Sequence, residues 1–274
     1  MPALDALSDW PVPTAAAAVV GTSGVLAEFG DTGRRFALAS VTKPLVARAA
    51  QVAVEEGVVE LNTPAGPPGS TVRHLLAHTS GLSMRSADVI VEPGKRRIYS
   101  NEGFAVLAAV VQQASEIPFD QYLAEAVFEP LGMTSSELSG GAEAAGYGGH
   151  STVADLVAFA GELLRPQLVS EEMHADSIGV QFPGLDGVLP GYGAQRPNDW
   201  GLGFEIRDTK SPHWTGSANS ARTFGHFGQS GTFIWVDPAV ELALVVLTDR
   251  DFDRWAHPLW PAISDGVLRE FGPH

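Results

Sequence analysis

The order of extended and helical segments is the sequence feature that most restricts the fold of this chain. Two apolar runs near the N-terminus, 14–20 and 24–30, are separated by a short turn that begins at Gly21, and they predict a β-hairpin. Further strands are predicted near the C-terminus, at 200–206, 222–231, 232–238 and 241–249. Because strands at both ends enclose a helical middle, the pattern favours an α+β fold in which a helical region is inserted between two halves of an antiparallel sheet.

The middle of the chain has the apolar periodicity of helices. From Thr42 onward, apolar residues recur at three- and four-residue steps until Gly57 ends the run. Further helices are predicted at 71–78, 102–115, 119–128, 152–164 and 259–271. Glycine and proline dominate 181–196 and predict a long, mobile loop. We therefore expect one domain over 1–274 with an α/β lobe of about 1–45 and 198–274 and a helical lobe of about 46–197.

The composition excludes several classes of function. The formal net charge of −15 at pH 7 repels phosphate backbones and anionic lipid head groups, so nucleic acid and membrane surfaces are poor candidate partners. The chain has no cysteine, which excludes disulfides, thiolate metal sites and cysteine nucleophiles. The N-terminal segment lacks basic residues, and no apolar run is long enough for a signal peptide or a membrane span. These features predict a cytoplasmic protein.

A serine and a lysine lie three residues apart where a predicted strand, 34–40, meets the first predicted helix. Residues at this spacing share one face of a helix, so Lys43 can reach the hydroxyl of Ser40. Apolar neighbours would bury the lysine and lower its pKa, and a neutral amine can take the proton of a serine nucleophile. The N–H groups at the start of the helix could also hold an oxyanion. The simpler alternative is that Ser40 only caps the helix while Lys43 is solvated.

Two further stretches carry groups that suit the same chemistry. In IYSN, 98–101, Tyr99 and Asn101 point the same way if the segment is extended, so that a phenol and an amide face one cavity. In the glycine-rich stretch 225–231, His226 would face a ligand, and the backbone after it offers N–H groups. Each stretch also has a simpler explanation. Tyr99 could be a core residue and Asn101 a helix cap, and 225–231 could be an edge strand with bulges.

Together, the three stretches resemble the serine β-lactamase and penicillin-binding protein superfamily, in its class C-like esterase and D-aminopeptidase branch. The S-x-x-K motif is Ser40 to Lys43, the Y-x-N motif is Tyr99 to Asn101, and the H-x-G motif is His226 to Gly228. HLLAHTSGL and FEPLGM are similar to framework segments of the family, and the resemblance covers about 36–249. It implies a β-lactamase/transpeptidase-like fold, an antiparallel sheet flanked by terminal helices with an inserted helical lobe.

The resemblance also implies a serine hydrolase that works through an acyl-enzyme. Ser40 would be the acylated nucleophile, and Lys43 would accept its proton or hold Tyr99 as a phenolate. Tyr99 would pass a proton to the leaving group and later activate water. The implied oxyanion hole consists of the backbone N–H groups of Ser40 and Gln229. The implied substrate contacts are those of Asn101, which holds the acyl chain, His226 and Gly228.

Position 226 departs from the lactamase pattern, which has a lysine at the start of the third motif. A neutral histidine there loses a charge-assisted hydrogen bond to a substrate carboxylate, a loss of about 1.5–3 kcal/mol. We therefore expect a small-molecule ester or amide to be preferred, with no metal and no cofactor. The alternative enzymatic activity is that of a β-lactamase, a D-alanyl-D-alanine carboxypeptidase or a D-aminopeptidase. A second alternative is a ligand-binding protein of the same fold without catalytic activity.

The remaining candidate features carry weaker signals. No G-x-S-x-G occurs, so the nucleophile elbow of α/β-hydrolases is missing. His74 and His78 have a spacing used by zinc ligands, but Leu75 stands where a zinc protease has its glutamate. The basic run 95–97 predicts a solvated loop that adjoins Tyr99. Trp200 and Tyr192 flank the glycine-rich loop and are expected to wall an acyl pocket, while the oligomeric state stays open.

Overall fold

Strands from both ends of the chain form one sheet in the structure, a computed structural model that describes residues 2–273. Along these residues the strands are β1 (Ala15–Gly21), β2 (Gly24–Phe29), β3 (Phe36–Ala37), β4 (Glu137–Leu138), β5 (Gly149–Ser151), β6 (Gly187–Leu189), β7 (Gly193–Gln195), β8 (Glu205–Ile206), β9 (Phe224–Gly228), β10 (Thr232–Asp237) and β11 (Leu242–Thr248). The main sheet has the order β2-β1-β11-β10-β9-β8, and its pairings are antiparallel. The first and last strands therefore lie side by side, with Ala15 opposite Thr248, and the predicted α+β plan is confirmed.

Most helices lie between the two halves of the sheet in sequence. They are α1 (Thr42–Glu55), α2 (Val72–Leu76), α3 (Asn101–Ser115), α4 (Phe119–Leu123), α5 (Val153–Leu164), α6 (Glu171–Ile178) and α7 (Ala256–Phe271). Short 3-10 helices are formed by Ala3–Asp9, Ala39–Val41 and Gly141–Ala144, and a π-helical turn by Ala124–Phe128. Ser100, Thr152 and Ser170 cap α3, α5 and α6 through their side-chain oxygens, which explains where these helices begin. Among residues 2–273, no helix has the length and apolar character needed to cross a bilayer.

The main sheet separates two apolar cores. In β1, Ala16, Ala18 and Val20 enter the core formed with α1, α3 and α5, whereas Ala17 and Val19 enter the core formed with α7. Because both faces of the strand are covered, its sequence is an unbroken apolar run rather than an alternation of apolar and polar residues. The central strands are therefore rigid supports, buried on both sides, for the groups at their ends.

Most predicted helices are observed, and the differences concern α6 and α7. The N-terminal hairpin and the helices predicted at 71–78, 102–115 and 152–164 are observed within a few residues. α7 begins at Ala256, three residues earlier than predicted, because Pro258 lies in its first turn, where a missing N–H leaves no hydrogen bond unmade. α6 is an unpredicted helix, since its sequence EEMHADSI has no apolar stripe.

Three segments predicted to be strands or loop have a different structure. Strand 34–40 is reduced to β3, which pairs with β5 and not with the main sheet. Strand 200–206 is reduced to β8. The loop predicted at 181–196 contains a hairpin of β6 and β7, whose turn requires Gly191, because φ there is 77° and a Cβ would lie 2.5 Å from the Phe252 ring. The division into two lobes stays a prediction.

Candidate active site

Ser40 lies in the 3-10 turn Ala39–Val41 between β3 and α1, and not at the end of a strand. Ala39 has a φ of 46°, a left-handed conformation that is costly for a residue with a Cβ. The turn is held from β10, where the Thr232 hydroxyl donates to the carbonyl oxygen of Leu38 at 2.8 Å. Contacts that are distant in sequence therefore hold Ser40 in a strained turn against the sheet.

Lys43 lies in the first turn of α1 and is completely buried. Its Nζ donates to Asn101 Oδ1 at 2.6 Å and to the carbonyl oxygen of Gly146 at 2.7 Å, and it lies 3.4 Å from Ser40 Oγ. Burial lowers the pKa of Lys43 well below its ordinary value. Among residues 2–273, no carboxylate forms a salt bridge with Lys43, so no opposite charge offsets this effect.

The contacts of Lys43 define the direction of its lone pair when the amine is neutral. A neutral amine has two N–H bonds and one lone pair. The two shortest contacts of Nζ are with oxygens of an amide and a carbonyl group, which only accept hydrogen bonds. Both N–H bonds are thereby used, and the lone pair is left for Ser40 Oγ. The arrangement can therefore take the hydroxyl proton of Ser40.

Tyr99 brings a phenol to the same place. The Nζ of Lys43 lies 4.6 Å from the centre of the Tyr99 ring, and the Tyr99 hydroxyl lies 3.5 Å from His226 Nε2. Burial raises the pKa of Tyr99, and a hydrogen bond with Ser40 opposes this effect only in part. The phenol is therefore protonated at neutral pH and suits the role of a proton donor. Asn101, which begins α3 directly after the extended Ser100, faces the same cavity.

His226 lies on β9 with a defined tautomer. Its Nδ1 lies 2.7 Å from the carbonyl oxygen of Phe227, so Nδ1 carries the hydrogen and Nε2 presents its lone pair to Tyr99. Burial and the proximity of Lys43 lower the pKa of His226 to about 3, against the opposing effects of the Phe227 hydrogen bond and of Glu205. His226 is therefore neutral at pH 7 and offers no charge to a substrate carboxylate.

The two N–H groups expected to form an oxyanion hole are free of competing partners. Within residues 2–273, the backbone N–H groups of Ser40 and Gln229 donate to no other segment. Gln229 is fixed because its carbonyl oxygen accepts from the Phe252 N–H at 2.7 Å. Gly228 does not line the cavity, and a Cβ at this position would lie 2.2 Å from the carbonyl oxygen of Leu38. Close packing of β9 on the Ser40 turn therefore leaves no room for a Cβ at position 228, and the substrate contact of Gly228 stays a prediction.

A cavity of about 470 Å³ joins these groups. It is lined by seven residues that the sequence motifs or their surroundings indicate: Ser40, Tyr99, Asn101, Trp200, His226, Phe227 and Gln229. Lys43 lies behind this lining, in contact with Ser40 and Asn101. Further lining residues that no motif indicates include Glu102, Glu143, Leu189, Pro190 and Glu205. The cavity therefore holds the expected reactive groups together with walls that the sequence does not reveal.

Glu205 places a buried carboxylate in the cavity wall. Lys210 donates to its Oε1, and His213 Nε2 and Trp214 Nε1 donate to its Oε2 at 2.8 and 2.9 Å. Burial raises the pKa of Glu205, but the charges and hydrogen bonds of His213 and Lys210 outweigh this effect and lower it to about 2. The four residues lie in a predicted strand and a loop without a motif, so the sequence carries no signal for this cluster.

Arg97 contradicts the prediction of a solvated basic loop at 95–97. Its side chain is almost completely buried. The guanidinium donates to the carbonyl oxygens of Ala77 at 2.6 Å, Gln181 at 2.7 Å and Asn198 at 2.9 Å. An arginine presents five N–H donors in a planar fork, which explains how one side chain can hold three backbone segments. Arg97 is therefore a structural clamp beside the cavity.

His74 and His78 do not share a helix face, because α2 ends at Leu76 and His78 has a φ of 56°. His74 Nδ1 lies 2.8 Å from the Thr71 hydroxyl, and His78 Nδ1 accepts from the Ser100 N–H at 3.2 Å. The spacing behind the zinc alternative is thus not realised as a ligand pair.

The fold and the cavity define a class of protein. An antiparallel sheet with strands from both ends of the chain is typical of β-lactamase/transpeptidase-like proteins. So is a serine that meets a buried lysine and a tyrosine where the helical region joins the sheet. The sequence profile of the Beta-lactamase family matches residues 9–266, and the chain belongs to this family. The resemblance seen in the three motifs is confirmed.

Solved and curated proteins are similar to this chain in fold or in sequence. The crystal structure of a beta-lactamase from Mycobacterium bovis is 72% identical, with a TM-score of 0.98 over 99% of this chain and all of that one. EstCE1, a hydrolase with promiscuous acyltransferase activity, shares the fold at 18% identity, with a TM-score of 0.77 over 97% of this chain and 96% of that one. Penicillin-binding protein 4* of Bacillus subtilis is 28% identical over 39% of this chain. The matched segments span only 31–48% of the length of the curated relatives.

Proposed function

We propose that the protein is a serine hydrolase that forms an acyl-enzyme at Ser40. The observation that carries this proposal is the environment of Lys43, a fully buried amine whose two N–H bonds are used by acceptors and whose third direction faces Ser40 Oγ at 3.4 Å. Membership of the Beta-lactamase family supports an enzyme rather than a non-catalytic ligand-binding protein.

In the proposed acylation, the proton of the Ser40 hydroxyl moves to the lone pair of Lys43 as Oγ forms a bond with the carbonyl carbon of the substrate. The carbonyl oxygen becomes an oxyanion and accepts hydrogen bonds from the N–H groups of Ser40 and Gln229. The bond to the leaving group then breaks, and the departing oxygen or nitrogen takes the proton of the Tyr99 hydroxyl. The lysine proton restores Tyr99, so that no net charge is gained.

Opposite pKa directions support this division of roles. Burial lowers the pKa of Lys43 and raises that of Tyr99, so the amine is the stronger candidate for the base and the phenol for the acid. Deacylation reverses the sequence with water in place of the alcohol. Water gives its proton to the Tyr99 oxygen as the phenol proton moves to Lys43, and the water oxygen attacks the acyl carbon. Lys43 then returns the proton to Ser40 Oγ as the ester bond breaks. His226 would orient the phenol by accepting its hydrogen bond.

We expect esters without a carboxylate to be the better substrates. His226 is neutral, Lys43 is fully engaged inside the protein, and Glu102, Glu143 and Glu205 line the cavity together with one cation, Arg85. A substrate carboxylate would therefore meet more negative than positive groups. The beta-lactamase name of the Mycobacterium bovis relative favours the alternative, β-lactam hydrolysis, which the same groups could perform.

Labelling with a fluorophosphonate tests the nucleophile. We expect the protein to gain the mass of one phosphonyl group on the peptide that contains Ser40, because an activated hydroxyl attacks the phosphorus and expels fluoride. Intact mass and peptide mapping measure the adduct. Ser40→Ala should abolish it, and Ser211→Ala, an exposed serine, should leave it unchanged. Absence of an adduct on the folded wild-type protein would contradict the proposal.

A comparison of p-nitrophenyl butyrate with benzylpenicillin tests the substrate class. We expect kcat/KM to favour the ester by about 10-fold or more, in line with the roughly 1.5–3 kcal/mol lost when a carboxylate finds no cation at position 226. His226→Lys should shift this ratio toward benzylpenicillin. A tenfold preference of the wild type for benzylpenicillin would mean that β-lactam hydrolysis is the main activity.

A further inference from the structure

The Gly187–Gln195 hairpin contributes an apolar wall to the cavity. Leu189 ends β6 with its side chain 1% exposed, and Pro190 follows in the turn; both line the cavity. Phe227, next to His226 on β9, extends the same wall. Val188 lies between two inward-facing positions and is 49% exposed, as the alternation of a strand requires. One face of the hairpin therefore serves the cavity and the other faces solvent.

The hairpin is packed against the body of the protein at its turn. The ring of Tyr192 lies 5.8 Å from that of Phe227 and 4.8 Å from that of His257, measured between centres. Tyr192 thus supports the wall from behind and does not itself line the cavity. Gln195 Nε2 donates to the carbonyl oxygen of Pro212 at 3.2 Å. These contacts fix where Leu189 stands.

Arg97 ties the base of the hairpin to the reactive groups. Its backbone N–H donates to the carbonyl oxygen of Asp186 at 3.0 Å, directly before β6. Its guanidinium holds Gln181 and Asn198, which lie on either side of the hairpin in sequence. Since Arg97 is two residues before Tyr99, the same short segment positions the phenol and the apolar wall. The distance between the wall and the reacting atoms is therefore fixed by the fold.

The other side of the cavity has a different character. Arg85, Glu102 and Glu143, whose charged side chains are at least partly exposed, line it together with Met84, Ala105 and Tyr147. Charged groups at the rim keep their hydration, whereas the hairpin side presents carbon atoms. Leu189 and Pro190 therefore offer an apolar part of a substrate a wall without charged side chains, where burial of carbon gains free energy.

We propose that the Gly187–Gln195 hairpin is the specificity-determining element of this enzyme, and that Leu189 and Pro190 receive an apolar group of the ester. This group belongs either to the acyl part or to the alcohol part, and both have the same chemistry at the wall. The inference rests on the proposed serine hydrolase function. It assigns a substrate class, esters with one compact apolar group, and a residue, Leu189, that limits the size of that group.

Variants of Leu189 test the assignment with two series of esters. One series is p-nitrophenyl esters of straight-chain acids from acetate to octanoate, and the other is acetate esters of alcohols of the same lengths. In each series, we compare kcat/KM for the six-carbon ester with kcat/KM for the two-carbon ester. In one of the series, Leu189→Ala should raise this ratio by about 10-fold, and Leu189→Trp should lower it by about the same factor. The reason is that one methylene in an apolar pocket changes the rate about 10-fold or more. The series that responds identifies which part of the ester meets the wall.

Val188→Ala is the matched control, because it shortens the neighbouring side chain on the solvent face of the same strand. It should leave every ratio within about twofold of the wild type, as expected for an exposed apolar position. Wild-type turnover with ratios that both Leu189 variants leave unchanged in both series would overturn the inference and leave the proposed function standing. Absence of ester turnover together with absence of a Ser40 adduct would overturn the proposed function itself. Labelling of Ser40 in each variant shows that the site is intact.

Discussion

Replacing Lys43 with methionine is expected to lower kcat/KM for an ester by about 10²–10⁴-fold, the usual contribution of a general base. Methionine retains the apolar length of the buried side chain but has no lone pair that accepts the Ser40 proton. The acceptors on Asn101 and Gly146 lose their donor, which costs stability as well. Steady-state kinetics measure the loss of activity, and thermal unfolding shows that the variant is folded at the assay temperature.

The matched controls separate basicity from charge. Lys43→Arg keeps a cation but cannot be deprotonated, so it should be as inactive as Lys43→Met. Lys95→Met removes a lysine from an exposed position and should leave kcat/KM unchanged. Because burial lowers the pKa of Lys43, the wild type should stay active far below pH 10.5, the ordinary value, and lose activity only when the amine is protonated at lower pH. Substantial activity in Lys43→Arg would refute the role of base.

Replacing Lys210 with methionine is expected to reduce the free energy of unfolding by about 3–5 kcal/mol, the cost of leaving a buried charge without its partner. Glu205 would keep the hydrogen bonds from His213 and Trp214 but lose the ammonium group. Urea denaturation at pH 7 measures the change. Lys95→Met is again the control, with an expected change within about 0.5 kcal/mol for an exposed position.

The double variant Glu205→Gln with Lys210→Met tests the pairing directly. It removes both charges, so it should be more stable than Lys210→Met alone, with a coupling energy of about 0.5–3 kcal/mol. Additive effects of the two substitutions would show that the pair is not coupled.

The same pair predicts that the free energy of unfolding falls at acid pH. The folded pKa of Glu205, about 2, lies below the unfolded value of about 4.5. A depressed carboxyl pKa contributes stability that is fully present above the unfolded value and is lost as the pH falls through the folded value. In wild type, the free energy of unfolding should therefore decline between about pH 4.5 and 2. In Glu205→Gln this decline should be smaller.

Local patterns in the sequence were sufficient for the main elements. The hairpin of β1 and β2, the start of α1 and the cap of α5 depend on neighbouring residues, so propensity, glycine and capping positions predict them. The strand predicted at 34–40 failed because its backbone pairs with β5, more than 100 residues away, and then turns into a 3-10 helix. Such pairing depends on distant partners and leaves no local signal.

The sequence by itself determined the chemical groups: a serine and lysine one helical turn apart, a tyrosine, an asparagine and a histidine in three motifs, within an α+β chain. Tertiary structure alone decided their states. The burial of Lys43, the tautomer of His226, the clamp of Arg97 and the hairpin wall all arise from segments far apart in sequence. A pKa depends on how much water and charge surround a group in space, and the order of residues along a chain does not specify that surrounding.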